Sequence, residues 1–196
     1  MPGTDRTSPR RRAVVAVCRH WAPYLLAAGT LFVWSAGVGA AVGSERDSPL
    51  LPVAADGNPY AGLDALGLFL HNARVGALLV LGALLFGLPT GYLLLANGFL
   101  FGSGVVEFAG AYGPAATIAM VLPHGVFELL ALVLAGAVSF RWCHVGWLVA
   151  SSNGPDTTGP RLVLETLLAL ATVAVLLALA AVIEARISSA IGGAVT

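Results

Sequence analysis

Apolar residues run in long blocks along this chain, and the charged positions fall between the blocks rather than alternating with apolar ones. Charge-free stretches cover 20–44, 75–106, 108–127, 129–140 and 166–183, with lengths of 25, 32, 20, 12 and 18 residues. A helix needs about 20 mostly apolar residues to cross the hydrocarbon core of a bilayer. The third and fourth stretches are separated by Glu128 alone. The pattern predicts an all-α polytopic transmembrane bundle of four or five spans, near 21–43, 73–97, 114–140 and 161–187. No repeat of 20–50 residues and no heptad pattern is present.

The 32-residue stretch is too long for one simple crossing. As a helix it would reach about 48 Å, against a hydrocarbon core of about 30 Å. Its middle carries Gly87-Leu88-Pro89-Thr90-Gly91. Proline removes a backbone donor and clashes with the preceding turn, so a break or kink is expected around 87–91. Two readings follow. A kinked helix runs over 73–97 and a short broken piece follows it. Alternatively the chain turns at 87–91, and 92–112 is a separate span or re-entrant segment containing Glu107.

Composition excludes other classes. The chain of 196 residues is 58% hydrophobic and 10% charged, with mean hydropathy +0.87. Soluble domains average about 25% charged residues, and disordered chains are polar, so neither description fits. All ten cationic residues are Arg, and ten acids balance them. Without a basic excess, nucleic acid is not an expected partner. The expected surroundings are the lipid bilayer and protein partners of the membrane or cell envelope. Nothing in the sequence sets an oligomeric state.

Residues 1–12 hold two Pro and an Arg10-Arg11-Arg12 cluster, and read as a flexible, Arg-rich cytoplasmic tail ahead of a single transmembrane domain over 13–196. The first apolar stretch exceeds the 7–15 residues of a signal-peptide core, so a retained span is expected. Five Arg precede it, while the loop over 44–65 holds Glu45, Asp47, Asp56 and Asp64 against Arg46 alone. The positive-inside rule therefore predicts a multi-pass protein of the cell membrane with a cytoplasmic N-terminus. Residues 141–160 read as a further loop, outside with four spans and inside with five. Arg141 and Arg161 favour the latter. Gly39/Gly43, Gly87/Gly91, Gly98/Gly102 and Ala131/Ala135 are small-xxx-small pairs, read as close helix packing within one bundle. Cys18 and Cys143 form no disulfide framework or metal spacing.

The informative residues are polar ones within apolar segments. In a span over 114–140, His124 and Glu128 fall near the bilayer centre and share a helix face, four residues apart. An acid at a helix centre costs about 2.5–3.5 kcal/mol on insertion scales, so Glu128 needs a partner or a proton. His124 is the nearest candidate. His71, Asn72, Asn97 and Glu184 complete the candidate polar core, with Arg74 and Arg186 beside it. Glu107 and Glu165 read as solvated helix ends. No nucleophile lies in a hydrolase motif, no metal-ligand spacing is present, and no cofactor is called for. The set reads as a polar latch joining helices.

Three stretches resemble the stage II sporulation protein M family of multi-pass membrane proteins. They are His71-Asn72 with the Gly-rich run to Asn97-Gly98, then Pro123-His124-Gly125-Val126-Phe127-Glu128-Leu129 with Ala135-Gly136, and Ala180-Ala181-Val182-Ile183-Glu184-Ala185. They span residues 71 to 187, and the middle one is the most specific. The chain departs from the family pattern at Leu130, where Pro is frequent, and at Ala185-Arg186-Ile187-Ser188. The resemblance implies a membrane scaffold. In spore formers the founding member gathers peptidoglycan-degrading partners, the stage II sporulation proteins D and P, during engulfment. Relatives also occur in organisms that form no spores.

The expected function is therefore a non-enzymatic scaffold that recruits or organises partners in the membrane. The alternatives are a transporter or channel component built on His124 and Glu128, and an intramembrane enzyme using the same pair.

Overall fold

The computed structural model describes residues 9–45, 64–152, 154 and 158–195, with side chains described from residue 19 to residue 186 within those segments. Among them lie five helices: α1 (Pro9–Ser44), α2 (Ala65–Leu81), α3 (Leu88–Tyr112), α4 (Pro114–Ala150) and α5 (Gly159–Val195). Each of α1, α3, α4 and α5 contains a segment long and apolar enough to cross a membrane, and α2 reaches that length together with the short 3-10 segment after it, over Ala65–Leu85. The expected tail falls outside the described residues up to Ser8, and α1 starts at Pro9. The acidic loop falls outside them from Arg46 to Leu63.

The expected span near 73–97 is two helices. A single 3-10 turn over Gly82–Leu85 follows α2, and then Phe86 (φ 56°) and Gly87 (φ 76°) both adopt left-handed backbone. Two consecutive left-handed residues end a right-handed helix. Pro89 begins the new helix rather than kinking an old one, because its missing N–H falls where a helix start has no intrahelical partner. The chain thus turns, and the residues after it form a full span. The expected loop over 141–160 is also corrected: α4 continues to Ala150, so Arg141 lies within a helix. Its 37 residues measure about 55 Å.

The remaining boundaries follow local chemistry. Asp64 caps α2, its Oδ1 accepting from the Gly67 N–H at 2.8 Å. Gly113, with φ 84°, ends α3 and starts α4, and Pro114 occupies the first turn.

Packing relies on small residues. The helices α1 and α3 run in the same direction, and their backbones approach until no side chain fits between them. A Cβ at Gly98 would strike the Phe32 carbonyl oxygen, and one at Gly102 the Ala36 carbonyl oxygen. From the other side, a Cβ at Gly39 would strike the Phe99 carbonyl oxygen, and one at Gly43 would lie 3.2 Å from Ser103 Cα. The Ser35 hydroxyl donates to the Leu95 carbonyl across this seam. Two small-xxx-small pairs therefore interlock within one chain.

The helix α4 packs against each of the other four. Its inner face is small, with Ala131, Ala135, Gly136 and Ala137 buried. Ala131 and Ala135 join Ala28, Leu79, Leu94, Val173 and Leu177 in the main core. Larger apolar residues such as Leu26, Trp34, Leu122 and Leu168 point outward. That arrangement suits a bundle whose surroundings are hydrocarbon rather than water.

Candidate functional site

The predicted polar residues do not all meet. Asn72, about two turns into α2, donates from Nδ2 to Glu128 Oε1 on α4. Both side chains are half-buried. The partner expected for Glu128 was His124, on the same face of the same helix. His124 does not take that part, and its buried Nδ1 has no hydrogen-bond partner. The i,i+4 spacing would permit a bond to His124, but the carboxylate turns instead to Asn72 on the facing helix.

Glu184 of α5 is half-buried and within electrostatic reach of Glu128. Three helices therefore contribute to one polar locus. Asn97 stays out of it, its Nδ2 donating to the Leu93 carbonyl of its own helix at 2.8 Å. His71 is exposed on α2. With α4 running to Ala150, Glu128 stands in the half of that helix nearer Gly113, not at its centre. Among the described residues, no group of three or more His, Cys, Asp or Glu side chains is placed to hold a metal ion.

A second locus was missed by sequence reasoning. Arg141 is 1% exposed, and its NH2 lies 2.8 Å from Glu165 Oε2 on α5. Glu165 also accepts from Arg161 Nε at 2.8 Å, one turn away, and from Trp21 Nε1 at 3.2 Å. The Arg141 guanidinium stacks over the Trp21 ring, 4.7 Å from its centroid. Glu165 is thus the hub of a clamp on α1, α4 and α5, not a solvated helix end. The contact with Arg141 is a close ion pair without directed hydrogen-bond geometry, and Arg141 Nε and NH1 have no hydrogen-bond partner.

Around this clamp, Tyr24 Oη meets His144 Nδ1 at 2.5 Å and Trp142 Nε1 donates to Thr166 Oγ1 at 3.0 Å. These polar-tipped aromatics gather at one end of the bundle. The signal in the sequence was a lone Arg directly after an apolar run, beside Trp142. Its partners are 24 and 120 positions away, beyond any local pattern.

A third, smaller contact sits at the α2–α3 turn. The buried Thr90 hydroxyl reaches the Leu79 carbonyl at 2.8 Å and Ser139 Oγ at 2.6 Å, tying α2, α3 and α4 together.

Five apolar helices and buried polar ties between them define a multi-pass helical membrane protein. Within that class, the chain belongs to the stage II sporulation protein M family, whose model matches residues 22–189. It is similar to an uncharacterized protein of Methanocaldococcus jannaschii, with 33% identity over 72 residues. That match covers 36% of this chain and 40% of the relative, so the chain spans well under half of the curated relative it matches. No solved structure matches the chain.

Proposed function

We propose that the protein is a non-enzymatic scaffold in the membrane that recruits or organises membrane or envelope partners. The observation that carries this reading is the bond between Asn72 and Glu128 across two helices. It commits the intramembrane carboxylate to holding α2 against α4, as a latch does. An open groove bordered by Pro23, Leu26, Thr30 and Phe140 lies along α1 and offers no charged group to a substrate. Family membership supports the same reading, since the resemblance implies a scaffold.

In the orientation that goes with this proposal, the N-terminus is cytoplasmic. Five Arg precede the first span, and with five spans Arg141 and Arg161 come to the same end of the bundle. The positive-inside rule then favours that end in the cytoplasm.

The second reading, a transporter or channel component, draws on the approach of Glu184 to Glu128, two acids within apolar helices. Crosslinking in native membranes, followed by purification of the full chain, separates the two. A scaffold retains a discrete protein partner, and Glu128→Gln retains it as well. No partner, together with an ion flux in liposomes that Glu128→Gln abolishes, would establish the transporter instead.

A further inference from the structure

The connection between α2 and α3 does not have the polar composition of an aqueous loop. From Leu81 to Leu88 it reads Leu-Gly-Ala-Leu-Leu-Phe-Gly-Leu, without one polar side chain. Its large residues point away from the bundle: Leu84 is 78% exposed, Phe86 89% and Leu88 77%. Solvated turns are built from Gly, Pro, Asn, Asp and Ser, and an exposed Phe with left-handed backbone is unusual among them.

Several backbone groups of the turn find partners within the protein. The Phe86 N–H donates to the Gly82 carbonyl, the Gly87 N–H donates to that same carbonyl at 2.9 Å, and the Gly91 N–H donates to the Gly87 carbonyl at 2.9 Å. Thr90 Oγ1 covers the Leu79 carbonyl, and Cys143 Sγ lies 3.8 Å from the Ala83 carbonyl. Pro89 has no N–H to satisfy. Water would have made these side-chain partners unnecessary, whereas hydrocarbon demands them.

The turn also stops short. Gly87 faces Phe140 and Cys143 of α4, and α4 continues for seven residues beyond Cys143 to Ala150, about 10 Å. The other connection at this end begins with exposed Ser151 and Ser152, and its sequence Ser-Ser-Asn-Gly-Pro-Asp-Thr-Thr is polar throughout. Two connections at one end of the bundle thus have opposite chemistry and different reach.

We infer that the α2–α3 turn is immersed in the lipid leaflet and presents Leu84, Leu85, Phe86 and Leu88 to acyl chains, as a lipid-contacting tip that does not emerge into water. This rests on the multi-pass membrane fold alone and is independent of the scaffold reading and of which end is cytoplasmic.

Single-cysteine variants of the full chain in liposomes test it, in a background carrying Cys18→Ser and Cys143→Ala. Leu85→Cys and Leu84→Cys probe the tip, and Ser151→Cys probes the neighbouring connection. With a membrane-impermeant maleimide offered to both faces, Ser151→Cys is expected to label fully. The tip positions are expected to label at least about tenfold more slowly, and fully once SDS is added. Nitroxide labels at the same sites should meet oxygen dissolved in the lipid more than a water-soluble nickel chelate at the tip, and the reverse at 151. Tip labelling within about twofold of Ser151→Cys overturns the inference by placing the turn in water. Tip nitroxides reached by neither oxygen nor nickel overturn it by placing a protein partner there.

Discussion

Arg141 on α4 and Glu165 on α5 stand 2.8 Å apart, 24 positions apart in sequence, with the Arg141 side chain withdrawn from solvent. Removing one member of a buried ion pair strands the other, which typically costs about 3–5 kcal/mol, while replacing both by apolar residues is often neutral. Glu165→Ala, which strands the buried Arg141, is expected to lower stability in detergent by about that amount, and Arg141→Ala by less, because Glu165 keeps Arg161 and Trp21. Arg141→Leu combined with Glu165→Leu should recover most of the loss. Unfolding curves of the four proteins check this, and a double variant as unstable as the sum of the singles would refute the pairing.

The α1–α3 seam makes a sharper demand. Gly98→Ala and Gly102→Ala each push a methyl group into a main-chain carbonyl of α1. The expected cost of such overpacking is about 1–3 kcal/mol apiece. Gly104→Ala and Gly110→Ala, on the same helix with open space around them, should not be destabilising. Thermal melting of the purified variants separates the two classes.

Asn72→Leu should cost about 1–3 kcal/mol, since it removes the donor and leaves the Glu128 carboxylate unsatisfied within the bundle. Glu128→Gln keeps an acceptor and is expected to remain near the parent. His124→Leu should leave the α2–α4 attachment intact, because His124 takes no part in it. Urea or SDS titration of the three variants orders them. Equal losses for Glu128→Gln and Asn72→Leu would mean that the negative charge, not the hydrogen bond, matters.

Thr90 is a smaller test of the same logic. Thr90→Val leaves the buried Leu79 carbonyl and Ser139 hydroxyl short of a partner, for an expected loss of about 1–3 kcal/mol. Thr90→Ser should restore both contacts. Backbone hydrogen exchange in residues 82–90 is the direct readout, faster in the Val variant and slow in the Ser variant.

Much of the architecture was written in single residues. The charge-free runs announced the spans, Gly39/Gly43 and Gly98/Gly102 announced a close approach, and the excess length of 75–106 announced a break. The break itself fell at Phe86–Gly87, just ahead of the proline that drew attention to it, because proline opens helices as readily as it ends them. At the candidate site, Asn72 and Glu128 were both placed in one latch across helices, but the local His124 was taken as the nearest partner of Glu128 and Asn97 as a further member, and neither joins the bond. Arg141 and Glu165 were read as loop and helix-end residues, since a charge beside an apolar run looks the same whether water or a second helix receives it.

The sequence by itself determined the class of protein and the presence of four or five long apolar segments. Those follow from transfer free energy summed over about 20 neighbouring residues, a local quantity. Tertiary structure alone decided which helix meets which, and so which polar group satisfies which. In hydrocarbon every buried donor and acceptor must find its partner within the protein. For Glu128, Arg141 and Thr90 that partner stands on another helix, at a distance along the chain that no local pattern records.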